Sequence, residues 1–168
     1  MSVPGWALEA AQKLPAPMQE KLQEVLMKSM EDPYFLSMST IPVAWAMCMI
    51  PHGLALAIKL GNKGLKYNND TPRSEDYDKY TLGKSIARCS GAHYNTLEMF
   101  PLFAGAVLVA RSREVKPSVL FSQCVTYLRL RLLYIVLYCF GVNRIINAGR
   151  TLVWGKMLQH LFAICELA

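Results

Sequence analysis

Between Asp32 and Lys59 the chain carries no Asp, Glu, Lys or Arg. The uncharged run Phe35 to Ile58 is 24 residues long, and as a helix it reaches about 36 Å, enough to cross the roughly 30 Å hydrocarbon core of a bilayer. A first spanning helix is therefore expected over about residues 34–60. Pro42 and Pro51 should bend it, with neighbouring helices re-satisfying the freed carbonyls. His52 is the one titratable side chain inside. A helix-packing hydrogen bond is its first reading, a ligand contact its second.

The rest of the composition agrees with a chain built for lipid. Of its 168 residues 53% are hydrophobic and 18% charged, against a soluble norm of about a quarter charged. The net charge is +6, but the Lys and Arg residues are spread between apolar blocks, with no aromatic-interleaved basic patch to meet a nucleic acid. Cys48, Cys89, Cys124, Cys139 and Cys165 form no Cys-x-x-Cys pair. They read as small buried hydrophobes rather than disulfide partners or metal ligands, and no metal site is expected.

Residues 1–33 lack the basic start, apolar core and small-residue cleavage site of a signal peptide. From Ala16 onwards, Met18, Leu22, Val25, Leu26 and Met30 follow an amphipathic spacing, with Glu20, Lys21, Glu24 and Lys28 on the wet side. This extension is expected to be a surface helix without chemistry. After the first spanning helix comes a polar loop, Gly61 to Ala87, rich in turn formers around Tyr67 to Arg73. A second helix is expected over about 84–110, a third over about 118–140 after the basic turn Arg111 to Pro117, and a fourth over about 150–167 after a connection from Gly141 to Gly149. The predicted architecture is all-α: an integral membrane bundle of four antiparallel helices (34–168) behind an amphipathic extension (1–33). The basic residues weakly favour the long loop as the cytosolic side.

Polar side chains on these helices carry the functional signal. On the second helix Arg88, Asn95 and Glu98 fall within one side, since steps of seven and three nearly close whole turns. On the third, Arg131, Tyr134 and Tyr138 share a face and Arg129 falls on another. Polar side chains inside a membrane are costly, so they mark candidate sites. The competing reading is that amides and carboxylates only join helices, and that phenols anchor the interface.

The order of these residues resembles the MAPEG family, the membrane-associated proteins in eicosanoid and glutathione metabolism. Arg88, His93, Asn95, Glu98 and Pro101 are similar to its Arg…His-x-Asn-x-x-Glu-x-x-Pro signature. Arg131-x-x-Tyr134-x-x-x-Tyr138 resembles its second motif, and Arg150-Thr-Leu-Val-Trp154 its following Arg-x-x-x-Trp. The likeness covers roughly Ser39 to Ala168. It implies a left-handed four-helix bundle assembled as a homotrimer in the endoplasmic reticulum or a related membrane. Glutathione, as co-substrate, would bind between subunits, and a lipophilic substrate would arrive from the bilayer. The residues implied around glutathione are Arg88, His93, Asn95, Glu98, Arg131 and Tyr134, with Arg150 and Tyr138 as the catalytic pair. Two departures stand out. Gly91 occupies a position where many members carry a second arginine, and the Tyr138 to Arg150 connection is longer than usual, so Arg144 is the alternative to Arg150.

The chemistry implied is thiolate activation. A free thiol has a pKa near 8.5, and lowering it by about two units takes roughly 2.7 kcal/mol of preferential thiolate stabilisation. A guanidinium and a phenol donating a hydrogen bond can supply that in a shielded site. The expected activity is a glutathione transferase or peroxidase acting on lipophilic electrophiles or lipid hydroperoxides. The alternative is a non-catalytic lipid-binding or scaffold member of the same fold.

Overall fold

A computed structural model of the chain describes residues 14–62 and 76–166. The first 13 residues, Lys63, Lys66, the Tyr67 to Arg73 turn formers and the last two residues lie outside the described ones. Among the described residues the chain is all-α, with five helices and no strand. They are α1 (Ala16–Glu31), α2 (Phe35–Leu60), α3 (Gly83–Ser112), α4 (Pro117–Phe140) and α5 (Arg144–Glu166). The chain divides into two compact units, Met1–Leu36 and Ser37–Ala168.

In the first unit, α1 starts with proline in its first turn, where the missing N–H costs nothing. It ends as the Asp32 N–H donates to the Lys28 carbonyl. Lys28 pairs with Glu24 one turn away, and the ammonium beside it holds the exposed Glu24 carboxyl below its ordinary value. Met18 and Met30, expected in an apolar stripe, are both exposed.

In the second unit, α2 buries one stripe: Ser37, Thr40, Ala44, Cys48, Pro51, Ala55 and Lys59. The steps of three and four make a single helix face, and most of its members are small enough for close backbone approach. The opposite face shows Val43, Trp45, Ile50 and Leu54 to the outside. Only 22% of the most apolar window of α2 and 33% of that of α4 is buried. These two helices are long and apolar enough to cross a membrane, and their apolar surface points away from the protein, opposite to the arrangement of a soluble core helix.

Pro51 removes an N–H from the ladder of α2. One residue beyond the freed carbonyl, the Cys48 carbonyl accepts from His93 Nδ1 on α3 at 2.7 Å. A carbonyl only accepts, so Nδ1 carries the proton. The His93 ring also lies 4.9 Å from that of His52. A core of Ala55, Tyr80, Ile86, Cys89, Ala92, Ile135 and Cys139 then joins α2, α3 and α4, and α3, α4 and α5 touch one another. Gly83 opens α3 where a Cβ would lie 2.1 Å from the Tyr77 carbonyl oxygen, so only glycine is accommodated. The four-residue turn between α3 and α4 folds the two helices side by side, as the stacking of Phe103 on Tyr127 at 4.3 Å confirms.

The last helix departs from expectation. The connection read as Gly141 to Gly149 is only Gly141 to Asn143, and α5 starts six residues earlier, at Arg144. The Asn143 Oδ1 accepts from the Ile146 N–H at 2.9 Å, a side-chain cap that satisfies one of the helix's free N–H groups. Asn147, Ala148 and Gly149 continue the helix instead of turning. Further along, His160 Nδ1 meets the Gln123 Oε1 at 2.8 Å, which ties α5 to α4.

Candidate functional site

Three helices meet at an open cavity of about 260 Å³ walled by Asn95 of α3, Tyr134 and Tyr138 of α4, and Arg150, Thr151 and Trp154 of α5. Its centre is an ordered contact. The Arg150 guanidinium lies over the Tyr138 ring, 4.2 Å from the ring centre, so a cation and a phenol share one wall. The early start of α5 sets the two candidate arginines apart in position. Arg150 is a turn and a half into the helix and half-buried, whereas Arg144 is its first residue and exposed.

Tyr138 is held from below by a column of rings and a second cation. The rings of Tyr138 and Tyr134 meet edge to face at 5.6 Å. Arg131 lies over Tyr134 at 5.4 Å and Tyr127 at 5.5 Å, and its Nη2 donates to the Tyr127 hydroxyl at 2.9 Å. Phe103 closes the column on Tyr127. In the order Phe103, Tyr127, Arg131, Tyr134, Tyr138, Arg150 each cation follows a pair of rings and lies over a ring face, an arrangement favoured by the ring quadrupole. Arg131 is 2% exposed, and its Nη1 is buried with no hydrogen-bond partner among the described residues.

From α3, Asn95 reaches the cavity while its Nδ2 donates back to the Gly91 carbonyl at 3.0 Å. That leaves its Oδ1 and second amide proton for a ligand. Gly91 faces Tyr138 directly: a Cβ there would lie 2.8 Å from the hydroxyl oxygen and 3.1 Å from Cε1. The missing arginine is thus more than a lost cation, because the phenol fills the space its side chain would enter.

The structure therefore brings Asn95, Tyr134, Tyr138 and Arg150 together, and it sets the other expected residues apart. Arg88 donates through Nε to the Cys139 carbonyl at 3.3 Å and through Nη2 to Ser85 Oγ at 3.0 Å, outside the cavity wall. His93 turns to α2 and its carbonyl. Arg131 lies beneath the cavity, where burial keeps it from gripping a carboxylate in the cavity itself. Glu98 is exposed on α3, one turn beyond Asn95, and does not line the cavity. Thr151 was not anticipated. It lines the cavity because it follows Arg150 on the same helix, and its hydroxyl donates to the Asn147 carbonyl at 3.2 Å. All five cysteines are free, four of them buried, and no group of three metal-ligating side chains occurs among the described residues.

A cation, a phenol and an amide around a partly shielded space can bind an anion and hold a thiolate. Comparison with known proteins gives one match: the family model described as MAPEG family, over residues 39–168. No curated protein and no solved structure matches.

Proposed function

The chain belongs to the MAPEG family, and on that premise we propose that it is a membrane-bound, glutathione-dependent transferase or peroxidase. The observation that carries this reading is the Arg150 guanidinium stacked 4.2 Å over Tyr138 in the wall of the cavity.

In this reading α2 to α5 form an antiparallel four-helix bundle across the endoplasmic reticulum or a related membrane, and three copies assemble around the glutathione sites. The apolar outer faces of α2 and α4 support the membrane placement. Glutathione enters from the side of the long loop. Asn95 bonds the tripeptide backbone, Tyr134 packs against it, and the carboxylate of Glu98 draws its ammonium. Arg88, closer to the start of α3, offers a carboxylate contact at the entrance. Arg131 acts through the aromatic column and holds Tyr138 in place.

The thiol gives its proton to water, and Arg150 stabilises the thiolate while the Tyr138 hydroxyl donates to it. The sulfur then attacks a lipophilic electrophile: a carbon–sulfur bond forms and the leaving group departs with the bonding electrons. With a lipid hydroperoxide, the sulfur attacks the distal oxygen, the O–O bond breaks and the lipid alcohol leaves. A second glutathione reduces the sulfenic acid to the disulfide and water.

The experiment is an ultraviolet difference spectrum of glutathione on adding the detergent-purified protein at neutral pH. A saturable thiolate band that vanishes in Arg150→Ala and persists in Arg144→Ala supports the reading. Absence of binding at millimolar glutathione overturns it and leaves the non-catalytic lipid-binding scaffold, a reading favoured by Gly91 in place of a second cation.

A further inference from the structure

No Cys-x-x-Cys pair exists along the chain, but the fold makes a cysteine pair in space. Helices α3 and α4 run antiparallel, and three contacts fix their register. Phe103 stacks on Tyr127, Gly91 faces Tyr138, and Arg88 Nε donates to the Cys139 carbonyl at 3.3 Å. From the contact of Gly91 with Tyr138, two residues back on α3 and one residue on along α4 lead to Cys89 and Cys139. Both belong to the core that joins these helices, and both are 3% exposed. Their thiols interact as hydrogen-bonding groups, and the Arg88 guanidinium is close enough to act on both.

Other cysteines are placed differently. The Cys48 thiol donates to the Ala44 carbonyl of its own helix at 3.3 Å, and Cys165 is exposed in the last turn of α5. A cation beside a thiol favours the thiolate, which is the reactive form. A second thiol in contact can resolve a sulfenic acid before it is oxidised further. The pair also has an approach. Tyr138 lines the cavity on one side and packs on the other against the core that holds both thiols, so one side chain separates the sulfurs from the cavity.

We propose that Cys89 and Cys139 form a redox-active dithiol that a hydroperoxide converts into a disulfide between α3 and α4. One thiolate attacks the terminal oxygen of the peroxide, the O–O bond breaks, and the other oxygen takes a proton and leaves as an alcohol or water. The sulfenic acid that remains is attacked by the second sulfur. The S–S bond forms, and the sulfenic hydroxyl leaves with the second thiol's proton as water. Two thiols are oxidised and one peroxide is reduced. Side chains already in contact need little backbone movement to be bridged. The new bond lies one residue from Tyr138 and two from Gly91. The inference takes its class of oxidant from the proposed function and its geometry from helix packing alone.

The test uses the full chain in a Cys165→Ser background, reconstituted in lipid and treated with hydrogen peroxide in the absence of glutathione. Remaining thiols are alkylated in denaturant, and the protein is digested without reductant for mass spectrometry. The expected result is one cross-linked peptide pair carrying Cys89 and Cys139, lost on treatment with dithiothreitol and absent from Cys89→Ser and Cys139→Ser. The link is read in a chain that keeps both thiols, so the result does not depend on how a serine variant folds. In Arg88→Gln the bond is expected to form several-fold more slowly, and an unchanged rate overturns the part given to the guanidinium. Full alkylation of both thiols after peroxide overturns the proposal. So do cross-links scattered among Cys48, Cys89, Cys124 and Cys139, or sulfinic acid at either residue without a cross-link. With no glutathione in the sample, a missing link leaves the thiolate reading standing, and a missing thiolate band leaves the link standing.

Discussion

The hydroxyl of Tyr138 occupies the space above Gly91, where a Cβ would come within 2.8 Å of it. Side-chain volume at this point of α3 is therefore exchanged directly against the position of the phenol on α4. Gly91→Ala is expected to leave the fold intact or strengthen it by up to about 1 kcal/mol, because alanine is the better helix former. It is expected to lower the turnover of glutathione as Tyr138 is pushed aside. Parallel thermal melts and activity assays check this, and a variant that keeps full turnover removes Gly91 from the account.

Tyr138→Phe retains the ring beneath Arg150 and deletes only the hydroxyl. A hydrogen bond to a charged group contributes about 1.5–3 kcal/mol, so the bound glutathione thiol should have its pKa raised by roughly one to two units. The sign follows from the thiolate being the favoured form in the parent: losing its donor makes deprotonation harder, and the rising limb of the pH–rate profile moves to higher pH. Spectroscopic titration of bound glutathione gives the shift, and an unmoved titration curve would assign the hydroxyl no part in activation.

Arg131 separates two kinds of cost. Arg131→Ala opens a cavity in the bundle and is expected to cost about 2–5 kcal/mol. Arg131→Met keeps the volume and removes a buried guanidinium with one unpartnered nitrogen, so its stability should fall within about 1 kcal/mol of the parent or above it. Both should weaken thiolate formation if the column positions Tyr138. Full activation by a stable Arg131→Met protein would show the column to be packing alone.

His93→Ala deprives the Cys48 carbonyl of its donor beside the Pro51 break. The expected loss is about 1–3 kcal/mol of stability with glutathione affinity unchanged, measured by calorimetry on the same preparation. A selective loss of affinity would return His93 to the binding site.

The residues that could be placed from spacing alone were those on one helix face whose partners lie one turn away. Tyr134 and Tyr138 are of this kind, and so is Asn95. His93 illustrates the limit: it stands two residues from Asn95, about 200° around the helix, so its presence in the same motif did not put it in the same cavity. Arg129 and Arg131 were both legible as charges that must meet protein, water or a ligand, but only the packing of Tyr127 and Tyr134 around Arg131 shows which of them turns inward. The start of α5 was obscured by Asn147 and Gly149, which read as turn formers, while the decisive signal was Asn143 as a side-chain cap. The different placements of Arg144 and Arg150 follow from that helix start.

The column from Phe103 to Arg150 also bears on how such a chain can diverge. Each cation in it leans on the ring before or after it, so a single replacement leaves a charge facing apolar surface or a phenol without its guanidinium. Substitutions at Tyr127, Arg131 and Tyr134 should therefore be tolerated in concert far more readily than one at a time. A library randomised at all three positions would be expected to return correlated pairs of residues rather than independent preferences.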